Sequence, residues 1–289
     1  MRRAAFPRSG EHMAKLTRLD AVGIYTRNQK VSEEFYTRKI GLKVRTSDPK
    51  FGYVQLGATK GGADAGLDVW QPVPEWGDET YRAGLQQVGT VTGIGFSTAN
   101  LAKTVENLAR NGVKIETESE GFARFWDPDQ NALFLTEAER PTVRRAGVQK
   151  LEWVTVVTRD LPKAVEFFTK SLGLKSRKVR GGEGEGDFTI CRVSPDQTSV
   201  MPFTPNREMY DDPKDYDADL AHAGEETSIS FLADDVYAVE EKLLLKGVEF
   251  KAKAEKRDWG GVAARIYDPD RNSYMIYHME EHKHPHGTG

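Results

Sequence analysis

The sequence lacks the features on which several classes of protein depend. It has a single cysteine, Cys191, so no internal disulfide can form, and a cytoplasmic location is expected. No apolar run approaches the roughly 18–20 residues of a membrane-spanning helix, so no membrane partner is expected. The formal net charge of −3 gives no reason to expect a nucleic-acid partner.

What the sequence does contain is an internal repeat. EEFYTRKIGLKV at 33–44 matches VEFFTKSLGLKS at 165–176, and IGFSTANL at 94–101 matches ISFLADDV at 229–236. A third pair consists of FWDPDQN and IYDPDRN, which carry the same Asp-Pro-Asp-x-Asn turn. Because the matches keep their order along the chain, we interpret it as two homologous domains.

The repeat also sets the predicted domain boundaries. The two domains cover residues 16–138 and 148–280, and residues 139–147 form a linker. Polar composition predicts a flexible tail at 1–15 and a flexible, histidine-containing tail at 281–289.

Each predicted domain divides again into two similar modules. Each module reads as a strand, an amphipathic helix and three further strands, so that the chain holds four such units. Asn100 and Asp160 stand where helix N-caps are expected. The Asp-Pro-Asp-x-Asn stretches are interpreted as turns, because Asp and Asn side chains bind the turn backbone and proline fixes φ.

With WGGVAARIYDPDRN at 259–272, FWDPDQN at 125–131 and the helix ends IGLKV and LGLKS, the chain resembles the vicinal oxygen chelate superfamily. That superfamily includes glyoxalase I, extradiol dioxygenases and bleomycin-resistance proteins. The resemblance covers about residues 16–280. It implies an α+β fold in which the four βαβββ modules form two glyoxalase-like domains, each with a curved mixed sheet that forms a cup.

Strand alternation predicts which side chains face a cup rather than the helices. In the first domain, the polar and aromatic side chains expected around the cup are Tyr25, Tyr53, Gln55, Asp68, Trp70, Arg124, Trp126 and Phe134. In the second domain they are Trp153, Arg265, Tyr267 and Met275. The lead strands of the first domain carry small residues, whereas Trp153 is expected to fill part of the second cup. The first domain is therefore the expected site.

Metal-using members of the resembled family take ligands from four strand positions. In the first domain these positions hold Ala21, Asp68, Gly93 and Phe134; in the second they hold Trp153, a residue near Val200 or Met201, Ser228 and Met275. Of these side chains only Asp68 is a strong ligand, and one carboxylate does not make a metal centre. His278 is expected on the helix side of its strand. We therefore expect no metal and no cofactor.

The resemblance and the cup residues together favour metal-independent binding of a small aromatic or anionic molecule. Arg124 and Arg265 recur at one position of the repeat, where each could grip an anion or form a salt bridge at the rim, Arg124 with Asp68.

Two alternatives stay open. The first is an enzyme, of the extradiol dioxygenase or glyoxalase lyase or isomerase kind, with Asp68 as its candidate catalytic residue. The second is a protein-interaction scaffold with filled cups. A homodimer is possible with any of these functions.

Overall fold

The computed structural model describes residues 14–119, 121–138, 146–180 and 187–279. Most of the two predicted tails and of the linker lies outside the described residues, and the domain boundaries stay a prediction. No helix in the described part of the chain is long and apolar enough to cross a membrane.

The described residues form the four predicted modules, two in each half of the chain. In the first half, module 1 contains β1 Leu16–Tyr25, α1 Gln29–Glu34, β2 Lys43–Asp48, β3 Tyr53–Gly57 and β4 Gly66–Trp70. A connection with α2 Asp78–Gln86 leads to module 2, which contains β5 Val91–Thr98, α3 Leu101–Arg110, β6 Lys114–Ser119, β7 Phe122–Trp126 and β8 Ala132–Glu137.

The second half repeats this order. Module 3 contains β9 Val148–Val157, α4 Leu161–Glu166, β10 Lys175–Val179, β11 Phe188–Arg192 and β12 Ser199–Phe203. After α5 Pro213–Ala221, module 4 contains β13 Glu226–Ala233, α6 Val236–Leu245, β14 Phe250–Lys256, β15 Gly261–Tyr267 and β16 Ser273–Met279.

The module helices begin where capping side chains predict. Asn100 accepts a hydrogen bond from the Lys103 amide, and Asp160 accepts one from the Lys163 amide. In modules 1 and 3 the helix continues as a π-helical turn, Phe35–Ile40 and Phe167–Ser171 respectively.

The strands form two mixed eight-stranded sheets, and each sheet combines modules from both halves. The outer sheet joins modules 1 and 4 in the order β14-β15-β16-β13-β1-β4-β3-β2. The inner sheet joins modules 2 and 3 in the order β10-β11-β12-β9-β5-β8-β7-β6. The α+β class and the glyoxalase-like plan of four modules are confirmed. The assignment of consecutive modules to one cup was wrong, because β1 pairs with β13 and β5 with β9.

Alternation along the strands agrees with the prediction. Val22 and Ile24 are buried on the helix side of β1, as are Leu133 and Leu135 on β8. Across the two central junctions, Leu19 lies opposite Phe231 and Ile94 lies opposite Val154. All these side chains belong to one apolar core. His278 also lies on the helix side, where its Nδ1 accepts the Val236 amide at 3.1 Å.

The Asp-Pro-Asp-x-Asn turns connect the two sheets within each half. Asp127 Oδ1 accepts the amides of Asp129 and Asn131 at 2.9 Å each, so the turn is closed by its own side chains. Asn131 Nδ2 donates to the Tyr25 carbonyl at 2.9 Å, which ties the inner sheet to the end of β1 in the outer sheet. In the second half, Asn272 Nδ2 donates to the Val157 carbonyl at 3.0 Å.

Candidate functional site

Each sheet has one face against the helices and one face turned away from them. We call the latter face of the outer sheet the outer cup and that of the inner sheet the inner cup. Among the predicted site residues, the outer cup contains Tyr25, Tyr53, Gln55, Asp68, Trp70, Arg265, Tyr267 and Met275. The inner cup contains Arg124, Trp126, Phe134 and Trp153.

The predicted grouping of the first cup is therefore wrong. It combined Tyr25, Tyr53, Gln55, Asp68 and Trp70 with Arg124, Trp126 and Phe134, which belong to the other sheet. Likewise, Trp153 does not share a cup with Arg265, Tyr267 and Met275. The suggested salt bridge between Arg124 and Asp68 is not formed, because the two residues lie in different cups. The physical reason is that alternation assigns a residue to a face of its strand and carries no information about which strand is the neighbour.

A hydrogen-bonded carboxylate is the main polar feature of the outer cup. Asp68 Oδ1 accepts from Gln55 Nε2 at 3.0 Å and from the Tyr53 hydroxyl at 3.2 Å. Burial raises the pKa of Asp68 to about 7; Gln55 acts in the opposite direction, and the charge of Asp20 raises the pKa further. Burial also raises the pKa of Tyr53, with an added contribution from Asp68.

Asp20 is a functional candidate that the sequence reasoning missed. Strict alternation assigns Asp20 to the helix side of β1. The pairing register shifts between Leu19 and Ala21, however, so that a β-bulge places both Asp20 and Ala21 opposite Ser230 of β13. This bulge brings the Asp20 carboxylate to the Tyr277 hydroxyl, which donates to it. Asp20 is also paired with Arg18.

The remaining outer-cup side chains largely pack on one another. The rings of Tyr53 and Trp70 have centroids 4.2 Å apart, and Trp259 meets Tyr277 edge-on at 6.0 Å. Arg265 forms a salt bridge with Glu226, the rim pairing that was one of its two predicted roles.

The predicted metal-ligand positions are redistributed by the sheet pairing. The outer cup has Ala21, Asp68, Ser228 and Met275 at these positions, and the inner cup has Trp153, Met201, Gly93 and Phe134. In the described part of the chain, no group of three or more His, Cys, Asp or Glu side chains could hold a metal ion. The donors at these positions therefore do not fit the metal that the fold suggests.

A cavity of about 1050 Å³ opens on the inner cup and reaches the adjoining strand ends of the outer sheet. Three of the predicted site residues line it, namely Tyr25, Phe134 and Trp153. The cavity does not belong to the first domain alone, because residues of both halves line it.

Trp153 occupies part of the inner cup and leaves the remainder as the cavity. Its indole lies over Gly95 of the neighbouring strand, where an ideal Cβ would stand only 2.1 Å from Trp153 Cε2. Because glycine leaves that space, the indole forms the floor of the cavity instead of blocking it.

The aromatic wall of the inner cup is made of nearly parallel rings. Phe122 stacks on Phe134 with centroids 5.2 Å apart and on Trp153 at 6.5 Å. The Arg124 guanidinium lies 5.3 Å from the centroid of the Phe134 ring. Such a wall offers flat apolar area to a planar ligand.

Two predicted ligand residues are engaged elsewhere. Lys114 Nζ lies 4.1 Å from the centroid of the Trp126 ring, and the Arg271 guanidinium lies 4.1 Å from that of Tyr267. Trp126 and Tyr267 occupy the same position of the repeat, and each is covered by a cation from its own module.

One signal in the sequence could have identified Asp20 and its counterpart Glu152, the carboxylates at the bulges of β1 and β9. The triplet Arg-Leu-Asp at 18–20 returns as Lys-Leu-Glu at 150–152, with the offset of 132 that separates Gly41 from Gly173. Glu152 occupies the matching bulge of the inner sheet and lines the cavity. Phe122 could have been found from alternation, since it stands two residues before the predicted cup residue Arg124 on the same strand.

Comparisons with known proteins agree with this architecture. The family model described as the Glyoxalase/Bleomycin resistance protein/Dioxygenase superfamily matches the chain twice, over residues 18–133 and 150–276. A comparison with curated proteins gave no match.

Among solved structures, glyoxalase I from Zea mays is similar in fold. One single-residue mutant of that enzyme superposes with a TM-score of 0.65 at 18% identity, over 90% of this chain and 93% of the other. A putative dioxygenase from Bacillus subtilis gives a TM-score of 0.58 at 15% identity, over 91% of this chain and 85% of the other. At these identities the likeness establishes the fold alone.

Proposed function

Since the chain belongs to the Glyoxalase/Bleomycin resistance protein/Dioxygenase superfamily, we propose that its inner cup binds a planar, largely apolar small molecule without the help of a metal ion. The observation that carries this proposal is the cavity of about 1050 Å³ with Trp153 as its floor. Its volume of about 1050 Å³ is slightly above the roughly 300–1,000 Å³ that is usual for small-molecule sites.

The chemistry of the lining supports the same proposal. The rings of Phe122, Phe134 and Trp153 provide stacking area, and Thr155 and Ser199 place hydroxyl groups among the apolar lining residues. A site with mostly apolar walls and few polar groups is typical of ligand recognition. The inner-cup positions Trp153, Met201, Gly93 and Phe134 supply no strong metal donor, so binding there has to rely on the side chains themselves.

The proposal is tested by titrating the EDTA-treated protein with 2-naphthamide, a planar neutral probe, in a calorimeter. We expect saturable binding that Trp153→Leu weakens about 10-fold, because stacking contributes roughly 0.5–1.5 kcal/mol beyond area burial. Trp259→Leu is the matched control: Trp259 lies in the outer cup, is 45% exposed and should leave binding unchanged. Binding that appears only after a divalent metal is added contradicts the proposal.

A second candidate function is catalysis in the outer cup. It is favoured by Asp68, whose pKa is raised by burial to about 7, a value suited to a general base near neutral pH. The Tyr53 hydroxyl and Gln55 amide would hold this carboxylate in place through Oδ1. The candidate requires turnover of a catechol or a hemithioacetal that is lost in Asp68→Asn; equal turnover in the variant eliminates it.

A further inference from the structure

One row of cup-facing side chains crosses six strands of the inner sheet. Strand register aligns, in order, Arg124, Phe134, Gly95, Trp153, Ser199 and Arg192. The aromatic floor of the cavity thus continues on one side into a hydroxyl and a guanidinium, both of which line the cavity.

Ser199 is an unsatisfied polar group at this wall. The residue is 1% exposed, and its buried Oγ has no hydrogen-bond partner among the residues that the structure describes. Leaving a buried hydroxyl unpaired is unfavourable, so a ligand atom or a water molecule that accepts from Ser199 Oγ would be stabilising there.

Arg192 is a cation directly beside Ser199 on the neighbouring strand. Within the described ranges its guanidinium forms no salt bridge, and the cross-strand neighbour on its other side is Lys175, a second cation. Like charges opposite each other on one face of a sheet repel. Of the nearby carboxylates that line the cavity, Glu152 is tied to Lys150 at 3.1 Å, and Asp196 is exposed.

The outer cup has no arginine at the position that corresponds to Arg192. Gly57 stands where the inner cup has Arg192, since it lies opposite Lys43 as Arg192 lies opposite Lys175. The Arg45 guanidinium occupies the space over Gly57 and is neutralised by Asp64 at 2.7 Å. One copy of the repeat has thus buried and paired its cation, whereas the other presents an additional arginine to the cavity.

We propose that Arg192 and Ser199 anchor the carboxylate of an aromatic ligand whose ring lies on Trp153. This inference rests on the proposed function of the inner cup and narrows its ligand to aromatic carboxylates. One guanidinium and one hydroxyl match a single carboxylate: the guanidinium donates in its bidentate geometry and neutralises the charge, and the hydroxyl donates a further hydrogen bond. Ser199 and Trp153 lie opposite each other on neighbouring strands, which are about 4.8 Å apart. One fused-ring ligand is long enough to contact both side chains.

The test compares two probes of the same shape, 2-naphthoate and 2-naphthamide, in calorimetric titrations of the full chain. We expect 2-naphthoate to bind roughly 10- to 100-fold more tightly than the amide, as charge-assisted hydrogen bonds allow. Arg192→Gln should remove this preference, because binding of 2-naphthoate falls to the level of 2-naphthamide. Ser199→Ala should reduce it by a few fold. Arg82→Gln, on the exposed face of α2, is the matched control and should have no effect.

The outcomes separate this inference from the proposed function. Equal binding of the two probes, or a preference that survives in Arg192→Gln, overturns the carboxylate anchor and leaves the inner cup as a binding site. Tighter binding of 2-naphthyl phosphate than of 2-naphthoate overturns the assignment to carboxylates. Absence of binding by every probe overturns the proposed function and this inference with it.

Discussion

At the scale of single residues, the Asp-Pro-Asp-x-Asn turns keep one hydrogen bond in both copies of the repeat but take its donor from different positions. Asp127 Oδ2 accepts a hydrogen bond from the Tyr36 hydroxyl at 3.0 Å, and the equivalent Asp268 Oδ2 accepts one from the Tyr274 hydroxyl at 2.9 Å. Tyr36 lies in the π-helical turn of module 1, whereas Tyr274 lies on β16 of module 4 itself. The buried carboxylate needs a donor, and either position can supply it.

Asp68 carries a prediction at this scale. Because burial raises the pKa of Asp68 from 3.8 to about 7, the folded state keeps a proton that the unfolded chain releases above pH ~4. The stability contributed by that protonated state is full below pH ~4 and is lost as the pH rises to about 7. Asp68→Asn should therefore raise the free energy of unfolding by about 1–3 kcal/mol at pH 8 and change it little at pH 4.

Urea denaturation of both proteins at several pH values measures this difference. Asp258→Asn is a suitable control, since that carboxylate is exposed. A wild type and an Asp68→Asn variant whose stabilities change in parallel with pH would contradict the assignment of the titration to Asp68.

At the scale of elements, the lead strands have the largest effect on the two cups. β1 and β9 carry the same bulge, which turns Asp20 and Glu152 toward their cups. The next residue then differs: Ala21 puts a methyl group into the outer cup, whereas Trp153 places its indole over Gly95 in the inner cup. The duplicated lead strands thus present side chains of very different size at one position of the repeat.

At the scale of the whole molecule, the halves of the chain depend on each other. Every central strand of a sheet has its neighbour in the other half, through the β1–β13 and β5–β9 pairs. Separation of the halves would leave four central strands with one unpaired edge each, together with apolar core residues such as Leu19 and Phe231.

Expression of residues 14–138 alone should therefore not give a folded monomer. We expect this half to associate with itself or to stay unfolded, because backbone groups of β1 and β5 lose their partners. Co-expression with residues 146–279 should give a 1:1 complex whose circular dichroism matches that of the intact chain. Analytical ultracentrifugation distinguishes these states, and a stable monomeric half with native-like circular dichroism would contradict the cross-half pairing.

Much of the fold follows from local patterns. The repeat, the caps at Asn100 and Asp160, and the alternation of Val22 and Ile24 with their cup-facing neighbours could all be predicted. The residues of the candidate sites were harder to predict from the sequence. A β-bulge, for example, turns Asp20 to the cup face, whereas strict alternation assigns it to the helix face. Arg192 becomes a candidate site residue only when strands distant in sequence are placed side by side.

By itself, the sequence determined the four modules and the face of the sheet on which most strand residues lie, since side chains alternate with a fixed period of two. It also showed that Asp68 is the one strong ligand among the side chains at the positions that the resembled family uses for a metal. Tertiary structure alone decided that module 1 pairs with module 4 and module 2 with module 3, and hence which residues share a cup. The reason is physical: neighbouring strands are joined by backbone hydrogen bonds, which are alike at every residue, so the choice of partner depends on the packing of the whole core.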